Sequence, residues 1–260
     1  SPADEGARFY LGACLLAVER FTEAAEELAR LMRSRTFRAG SAFLLGGIRL
    51  GQGNLVGAAL QLAKCAADHP WHDDASAFLA CTLRKQGRLA EAEGLAQRIV
   101  GVDPLHFTAL AERYFLARDR GDRSAKSAAH AALDAALRDE PQSYLELACG
   151  YALFGLYGEA FDVLALYTDG PGADAPNPIV HYHLGYYAEK LGRADAALHY
   201  RRGAAADARC VFPHRYETER VLRRAIEADP GDARARHLLG TLLCSTSRFD
   251  EAIGSWQGAL

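Results

Sequence analysis

Apolar and polar positions along this chain follow the spacing of amphipathic helices, and the helices come in pairs. Alanine, leucine and aromatic residues are interleaved with Arg and Glu throughout, which favours helix over strand. The clearest pairs have, in the same order, a small residue, a turn glycine, an alanine and a closing proline. The clearest two pairs contain Leu45-Gly46, Gly53, Ala58 and Pro70, then Leu79-Ala80, Gly87, Ala92 and Pro104. Because the two prolines lie 34 residues apart, the pattern indicates a stack of helix-turn-helix units.

The small residue has a packing role in each unit. Gly or Ala at the eighth place of the first helix lets the second helix approach closely, and the leucine before it fills the remaining space. Further units are aligned by Gly12, Ala148, Gly185 and Gly240. Aligning the units on these residues predicts an all-α solenoid of about six to seven units.

Two segments interrupt the period. Residues 168–178 are rich in Gly and Pro, which predicts a connecting loop between N-terminal repeats at 1–167 and C-terminal repeats at 179–260. Pro178 is expected at the first helical position after this loop. Residues 213–228 predict an extra amphipathic helix that has no first-helix partner of its own.

These units resemble the tetratricopeptide repeat family, and the resemblance covers nearly the whole chain. It implies a right-handed superhelix with a concave groove lined by the first helix of each pair. Residues 177–187, 212–215 and 233–240 are also similar to the C-terminal repeat region of large bacterial proteins. Those proteins have an upstream β-rich domain of unknown function, for which a carbohydrate-related role is one option. No such domain is present in this sequence.

The resemblance assigns a set of side chains to the groove. These candidate peptide-binding residues are Phe43, Arg84, Phe115, Arg118, Tyr182, Tyr186, Glu189, Lys190 and His237. Aromatic rings with scattered cations suit a protein or peptide segment. The same rings could hold a sugar, pack between neighbouring repeats, or contact another domain of the same parent protein.

The expected function is therefore a non-catalytic protein-interaction or scaffold module. The alternative is an accessory or dimerisation domain of a larger bacterial carbohydrate-active enzyme, and a homodimer stays open under either interpretation. The sequence contains no GxSxG motif and no phosphate-binding glycine loop after a strand. We expect no catalytic, cofactor or metal site, because His181 and His183 are two residues apart and do not have the helical spacing of a zinc pair.

Composition narrows the choice of partner and compartment. The 260 residues carry a net charge of −3, so no overall positive field favours nucleic acid or an anionic membrane surface. Six cysteines include no CxxC pair, and at least four take positions expected to be small and buried. This pattern suits the reducing cytoplasm, and the preference for Arg over Lys suggests a bacterial source. The missing initiator Met predicts a fragment of a longer protein.

Overall fold

The computed structural model describes residues 2–68, 72–170, 172–173 and 176–260. Pro70 and, within the predicted loop, Pro171, Asp174 and Ala175 lie outside the described residues. The described residues contain fifteen α-helices and no β-strand, which confirms the all-α prediction. In chain order the helices are α1 (Pro2–Ala17), α2 (Phe21–Ala29), α3 (Arg38–Gly51), α4 (Leu55–Asp68), α5 (His72–Lys85), α6 (Leu89–Val102), α7 (Phe107–Asp119), α8 (Arg123–Leu137), α9 (Pro141–Ala152), α10 (Tyr157–Asp169), α11 (Pro178–Lys190), α12 (Ala196–Ala205), α13 (Tyr216–Ala228), α14 (Ala233–Ser245) and α15 (Phe249–Gln257).

The chain divides into two compact units. The first comprises Ser1–Arg138 together with Leu153–Leu156, and the second comprises Asp139–Ala152 together with Tyr157–Leu260. This division differs from the sequence-based boundary at 168–178, because α10 and α11 on either side of that loop pack together within the second unit.

Small residues bring the two helices of a pair into close contact, as the sequence pattern predicts. A Cβ atom built on Gly46 would lie 2.6 Å from Leu62, and one on Gly185 would lie 2.5 Å from Tyr200. Real Cβ atoms do not approach other atoms so closely. The absence of a side chain at these places therefore sets how near the second helix lies to the first.

Five helix pairs are joined by a turn whose glycine has a left-handed backbone. These glycines are Gly53, Gly87, Gly121, Gly155 and Gly192, with φ between +66° and +78°. Glycine adopts this conformation without the steric clash that a Cβ atom causes. The turn between α14 and α15 has Ser247 there instead, with φ of +62°.

The extra helix, α13, begins at Tyr216 and not at the expected residue 213. Residues 211–215 are not helical, and Arg215 has the extended ψ of 133°. Arg215 is the N-cap in this extended conformation, so the helix begins after it and not at Pro213. The helix buries Thr218, Val221, Leu222 and Ala225, and it packs against α11 and α14.

Helix α11 is buried on all sides, with every residue from Pro178 to Ala188 buried. Asn177 caps its start by accepting from the backbone N–H of Ile179 at 2.9 Å, and Pro178 takes the first helical position as predicted. Inside the second unit, His183 lies 3.1 Å from the Tyr187 hydroxyl through Nδ1 and 3.1 Å from the Thr218 hydroxyl through Nε2. Burial, followed by the charges of nearby arginines, lowers the pKa of His183 to about 3.

A pair of buried imidazoles joins α11 to α12. The rings of His181 and His199 are stacked with centroids 6.1 Å apart. Within the described part of the chain, neither Nδ1 atom has a hydrogen-bond partner. Burial, the neighbouring His199 and the charge of Arg202 lower the pKa of His181 to about 4. Protonation of His181 therefore opposes folding.

We predict that Ser247→Gly stabilises the protein. The substitution relieves a left-handed backbone at an exposed serine, and the extra freedom of glycine in the unfolded chain offsets part of the gain. The expected increase in the free energy of unfolding is about 0.5–1 kcal/mol, measured by urea denaturation. Gly53→Ala is the matched control and should destabilise, because it puts a Cβ atom on the same conformation. Equal or lower stability of Ser247→Gly would show that the turn is not strained.

We also predict that acid destabilises the protein through its buried histidines. Below pH 6.5 His181 takes up a proton in the unfolded chain. In the folded chain it takes up that proton only as the pH approaches about 4. Stability should fall by up to about 1.4 kcal/mol per pH unit for each such histidine. Urea denaturation of His181→Phe across this range should give a shallower loss, and exposed His214→Gln should match the wild type. An unchanged pH slope in His181→Phe would contradict the assignment.

Candidate functional site

Four predicted groove residues lie in the first unit, and Phe43 is one of them. Its side chain is half-buried on α3. The ring packs edge-to-face against Phe154 with centroids 5.6 Å apart and against Phe78 at 5.9 Å. Phe43 is therefore part of an aromatic cluster within the unit.

The other three form a charged cluster around one ring. Arg84 donates from Nε to Glu112 at 2.8 Å and from Nη1 to Asp119 at 3.0 Å. The guanidinium groups of Arg84 and Arg118 lie 5.0 and 4.8 Å from the centroid of Phe115. Arg84, Glu112 and Phe115 are all buried. The structure brings the predicted residues together, but their cations are held by acids and a ring of the same unit.

In the second unit, Tyr182 is a packing residue. Its side chain is fully buried, and its hydroxyl donates to the carboxylate of Asp232 at 2.9–3.0 Å. Asp232 also caps α14 by accepting from the backbone N–H of Ala235 at 2.8 Å. Burial and the adjacent carboxylate raise the pKa of Tyr182, so its hydroxyl stays protonated and continues to donate.

Tyr186 and Lys190 lie together with two residues that the sequence argument missed. Lys190 Nζ is 5.1 Å from the ring centroid of Tyr186 and 5.7 Å from that of Tyr157. The guanidinium of Arg220, on α13, lies 5.7 Å from the Tyr186 ring. Lys190 is exposed, whereas Tyr186 is 5% exposed. We call Tyr157, Tyr186, Lys190 and Arg220 the Tyr186 patch.

Glu189 borders this patch but faces another partner. Arg224 donates to both of its carboxylate oxygens at 2.8 Å, and the Tyr200 hydroxyl donates at 2.9 Å. The hydrogen bond from Arg224 lowers the pKa of Glu189, so the carboxylate is charged and neutralised by the arginine.

His237 is the last of the predicted residues. Its side chain is exposed on α14, and its carbonyl accepts from Trp256 Nε1 at 3.2 Å and from the Thr241 hydroxyl at 3.0 Å. The contacts that define the Tyr186 patch do not involve this residue.

The buried thiol of Cys149 is no nucleophile at neutral pH. Cys149 Sγ lies 3.7 Å from the Tyr187 hydroxyl, and burial raises the pKa of the thiol to about 11. The thiol is therefore protonated at neutral pH. Cys65 and Cys81 are also buried, whereas Cys14 and Cys210 are exposed.

Two surveys of the described residues bear on other kinds of site. Within the described ranges, no three His, Cys, Asp or Glu side chains are grouped so that they could hold a metal ion. Among the same residues, none of the helices has the length and apolar character needed to cross a membrane.

The sequence argument missed Arg220 and Phe154 for different reasons. Arg220 belongs to α13, whose packing against α11 is not part of the regular repeat. Phe154 left no clear signal in the sequence. Gln52, Gln86 and Arg120 precede the corresponding glycines, but Leu191 before Gly192 is also apolar and is exposed.

Comparison with known proteins supports the repeat assignment. The family model of the tetratricopeptide repeat matches residues 219–260, which span most of α13 and both following helices. No curated protein matches the sequence. The upstream β-rich domain that the sequence resemblance implies is not shown by these comparisons.

Two solved structures illustrate the likeness. A tetratricopeptide repeat protein from Parabacteroides merdae ATCC 43184 is 14% identical, with 98% of this chain and 91% of that chain covered and a TM-score of 0.47. PilW, a widely conserved type IV pilus biogenesis factor, is 16% identical, with 84% of this chain and 98% of that chain covered and a TM-score of 0.50. The likeness to PilW shows the fold. The chain therefore has an all-α helical-repeat fold, and the family match supports residues 219–260 as tetratricopeptide repeat sequence.

Proposed function

We propose that this chain is a non-catalytic protein-binding module that recognises an acidic segment of a partner protein at the Tyr186 patch. The observation that carries the proposal is the placement of two cations, Lys190 and Arg220, over the faces of tyrosine rings near the surface. Helical-repeat proteins commonly act as interaction scaffolds, and the proposal assigns that role to a defined surface.

The chemistry of the patch favours carboxylates. A tyrosine ring attracts a cation through its quadrupole, which restricts the positions of the Lys190 and Arg220 head groups. A carboxylate that approaches them forms charge-assisted hydrogen bonds with less loss of side-chain freedom than on mobile cations. Arg adds a planar fork of donors that suits a carboxylate.

The neighbouring acid does not cancel this preference. Glu189 is adjacent to Lys190 in sequence, but its two oxygens accept from Arg224. These hydrogen bonds orient the Glu189 carboxylate toward Arg224 on α13. A partner carboxylate at the Tyr186 patch therefore meets a Glu189 whose charge is offset by Arg224.

The proposal selects among the candidate groove residues by exposure. Tyr182 and Phe115 have no exposed surface, and Arg84 is held by buried Glu112. We assign these residues a packing role within their units. Phe43, Arg118, Glu189 and His237 stay predicted contacts, because each retains exposed or half-exposed surface.

We predict that the protein selects acidic peptides and loses this preference on charge reversal at the patch. A displayed library of random peptides is panned against the wild type and against Lys190→Glu/Arg220→Glu. Wild-type binders should be enriched in Asp and Glu, and their affinity should fall by about tenfold or more in the double variant, since each lost charge-assisted contact is worth about 1.5–3 kcal/mol. Affinity should also fall as salt is raised.

Lys126→Glu is the matched control. Lys126 is an exposed cation that also lies over a tyrosine, 5.5 Å from the ring centroid of Tyr114, but it belongs to the first unit. Binding should be unchanged in this variant. The proposal would be refuted if the selected peptides were not enriched in Asp and Glu, or if the double variant bound them as tightly as the wild type does. A stable homodimer without peptide binding would instead favour the accessory or dimerisation role in a larger carbohydrate-active enzyme.

A further inference from the structure

The turn Leu153–Leu156 belongs to the first unit and buries an aromatic side chain there. Phe154 is 2% exposed, although it stands at a turn position where Gln52 and Arg120 are exposed. It is followed by Gly155 with φ of +78°. The turn has the same left-handed glycine as the turns that contain Gln52 and Arg120. It differs from them because the side chain before its glycine is buried.

Two glycines of α3 receive this turn. A Cβ atom on Gly47 would lie 2.3 Å from two atoms of the Phe154 ring, and one on Gly51 would lie 1.7 Å from the Phe154 carbonyl oxygen. Gly47 and Gly51 are one helical turn apart and therefore on one face. We call the space above them the α3 notch. It admits a ring at one end and a backbone carbonyl at the other.

Aromatic walls make the notch selective for a ring. Phe43 and Phe78 meet Phe154 at centroid distances of 5.6 and 5.0 Å, with interplanar angles of 86° and 88°. Near-perpendicular, edge-to-face contacts match the charge distribution of aromatic rings. An aliphatic side chain would fill part of the volume without these contacts.

The residue after the ring also faces a close neighbour. A Cβ atom on Gly155 would lie 3.6 Å from the ring of Phe21, and its left-handed φ disfavours other residues. The bound sequence is thus an aromatic residue followed by glycine. A glycine in the middle of a helix lowers its stability, so α3 carries an unfavourable residue at Gly47, whose absent side chain admits the ring. Gly51, the last residue of α3, admits the carbonyl.

We propose that the α3 notch is a binding site for an aromatic residue followed by glycine, that Phe154–Gly155 is its intramolecular ligand, and that a partner segment of the same chemistry competes for the site. The contacts come from a few consecutive residues, which a peptide can also supply. A tethered ligand acts at an effective concentration of about millimolar, so the wild type should exclude weaker external segments. The inference does not depend on the Tyr186 patch.

The test uses the full chain and a labelled peptide with the sequence of residues 151–158. Phe154→Ala removes the ring and leaves only the turn backbone at the notch, so it should bind the peptide about tenfold or more tightly than the wild type does, because the tethered competitor has lost its aromatic contacts. A peptide with Ala in place of Phe should not bind. Adding Gly47→Ala to Phe154→Ala should abolish binding, because its methyl group occupies the position of the ring.

Gly94→Ala, added to Phe154→Ala, is the matched control. Gly94 is also within a helix, but a Cβ atom there meets nothing within 4 Å, so peptide binding should persist. Equal binding with and without Gly47→Ala would overturn the proposal, as would no binding by a Phe154→Ala protein that circular dichroism shows to be folded.

Phe154→Leu covers the case in which Phe154→Ala does not fold. Leucine keeps apolar volume in the notch but lacks the edge-to-face contacts, so the peptide should displace it more readily than it displaces phenylalanine. If folded Phe154→Leu binds the peptide no better than the wild type, the proposal fails. Failure of this proposal can be told apart from failure of the proposal for the Tyr186 patch, because every substitution here lies in the first unit.

Discussion

The close approach of paired helices is the constraint on which the rest of this structure depends. At Gly12, Gly46 and Gly240 a Cβ atom would overlap the second helix of the pair. The missing side chain brings the helices near enough for leucine and aromatic side chains to fill the interface at normal packing density. The left-handed glycine in most of the connecting turns then reverses the chain within a few residues. Together these two uses of glycine give each unit its repeated pair.

Glycine has a second role on a different face of α3. Gly46 faces Leu62 in the paired helix, whereas the next residue, Gly47, faces the ring of Phe154. One glycine sets the distance within a pair, and the other admits a segment that comes from far along the chain. The two roles look alike in the sequence, because helical spacing specifies which face a residue occupies and leaves open which atoms cover that face.

This limit explains which expectations could be formed from the sequence. The period predicts helices, their turns and the close pair contacts, because all of these lie within one helix pair. It does not predict that Tyr182 reaches Asp232, or that Arg84 on α5 is buried against Glu112 on α7. Both were assigned to a groove from their place in the first helix. Their partners belong to other pairs and depend on how neighbouring pairs pack, which a single sequence does not encode as a visible spacing.

The net charge of −3 and a preference for an acidic partner are compatible for a related reason. Charges beyond about 8–10 Å are largely screened at physiological salt, so the local arrangement decides what a surface attracts. Around α13 two acids are paired with arginines: Glu219 with Arg223 and Arg248, and Glu189 with Arg224. Lys190 and Arg220 also lie over the face of Tyr186. A ring holds a cation in place without neutralising its charge, so the proposed preference for carboxylates is compatible with a protein that is acidic overall.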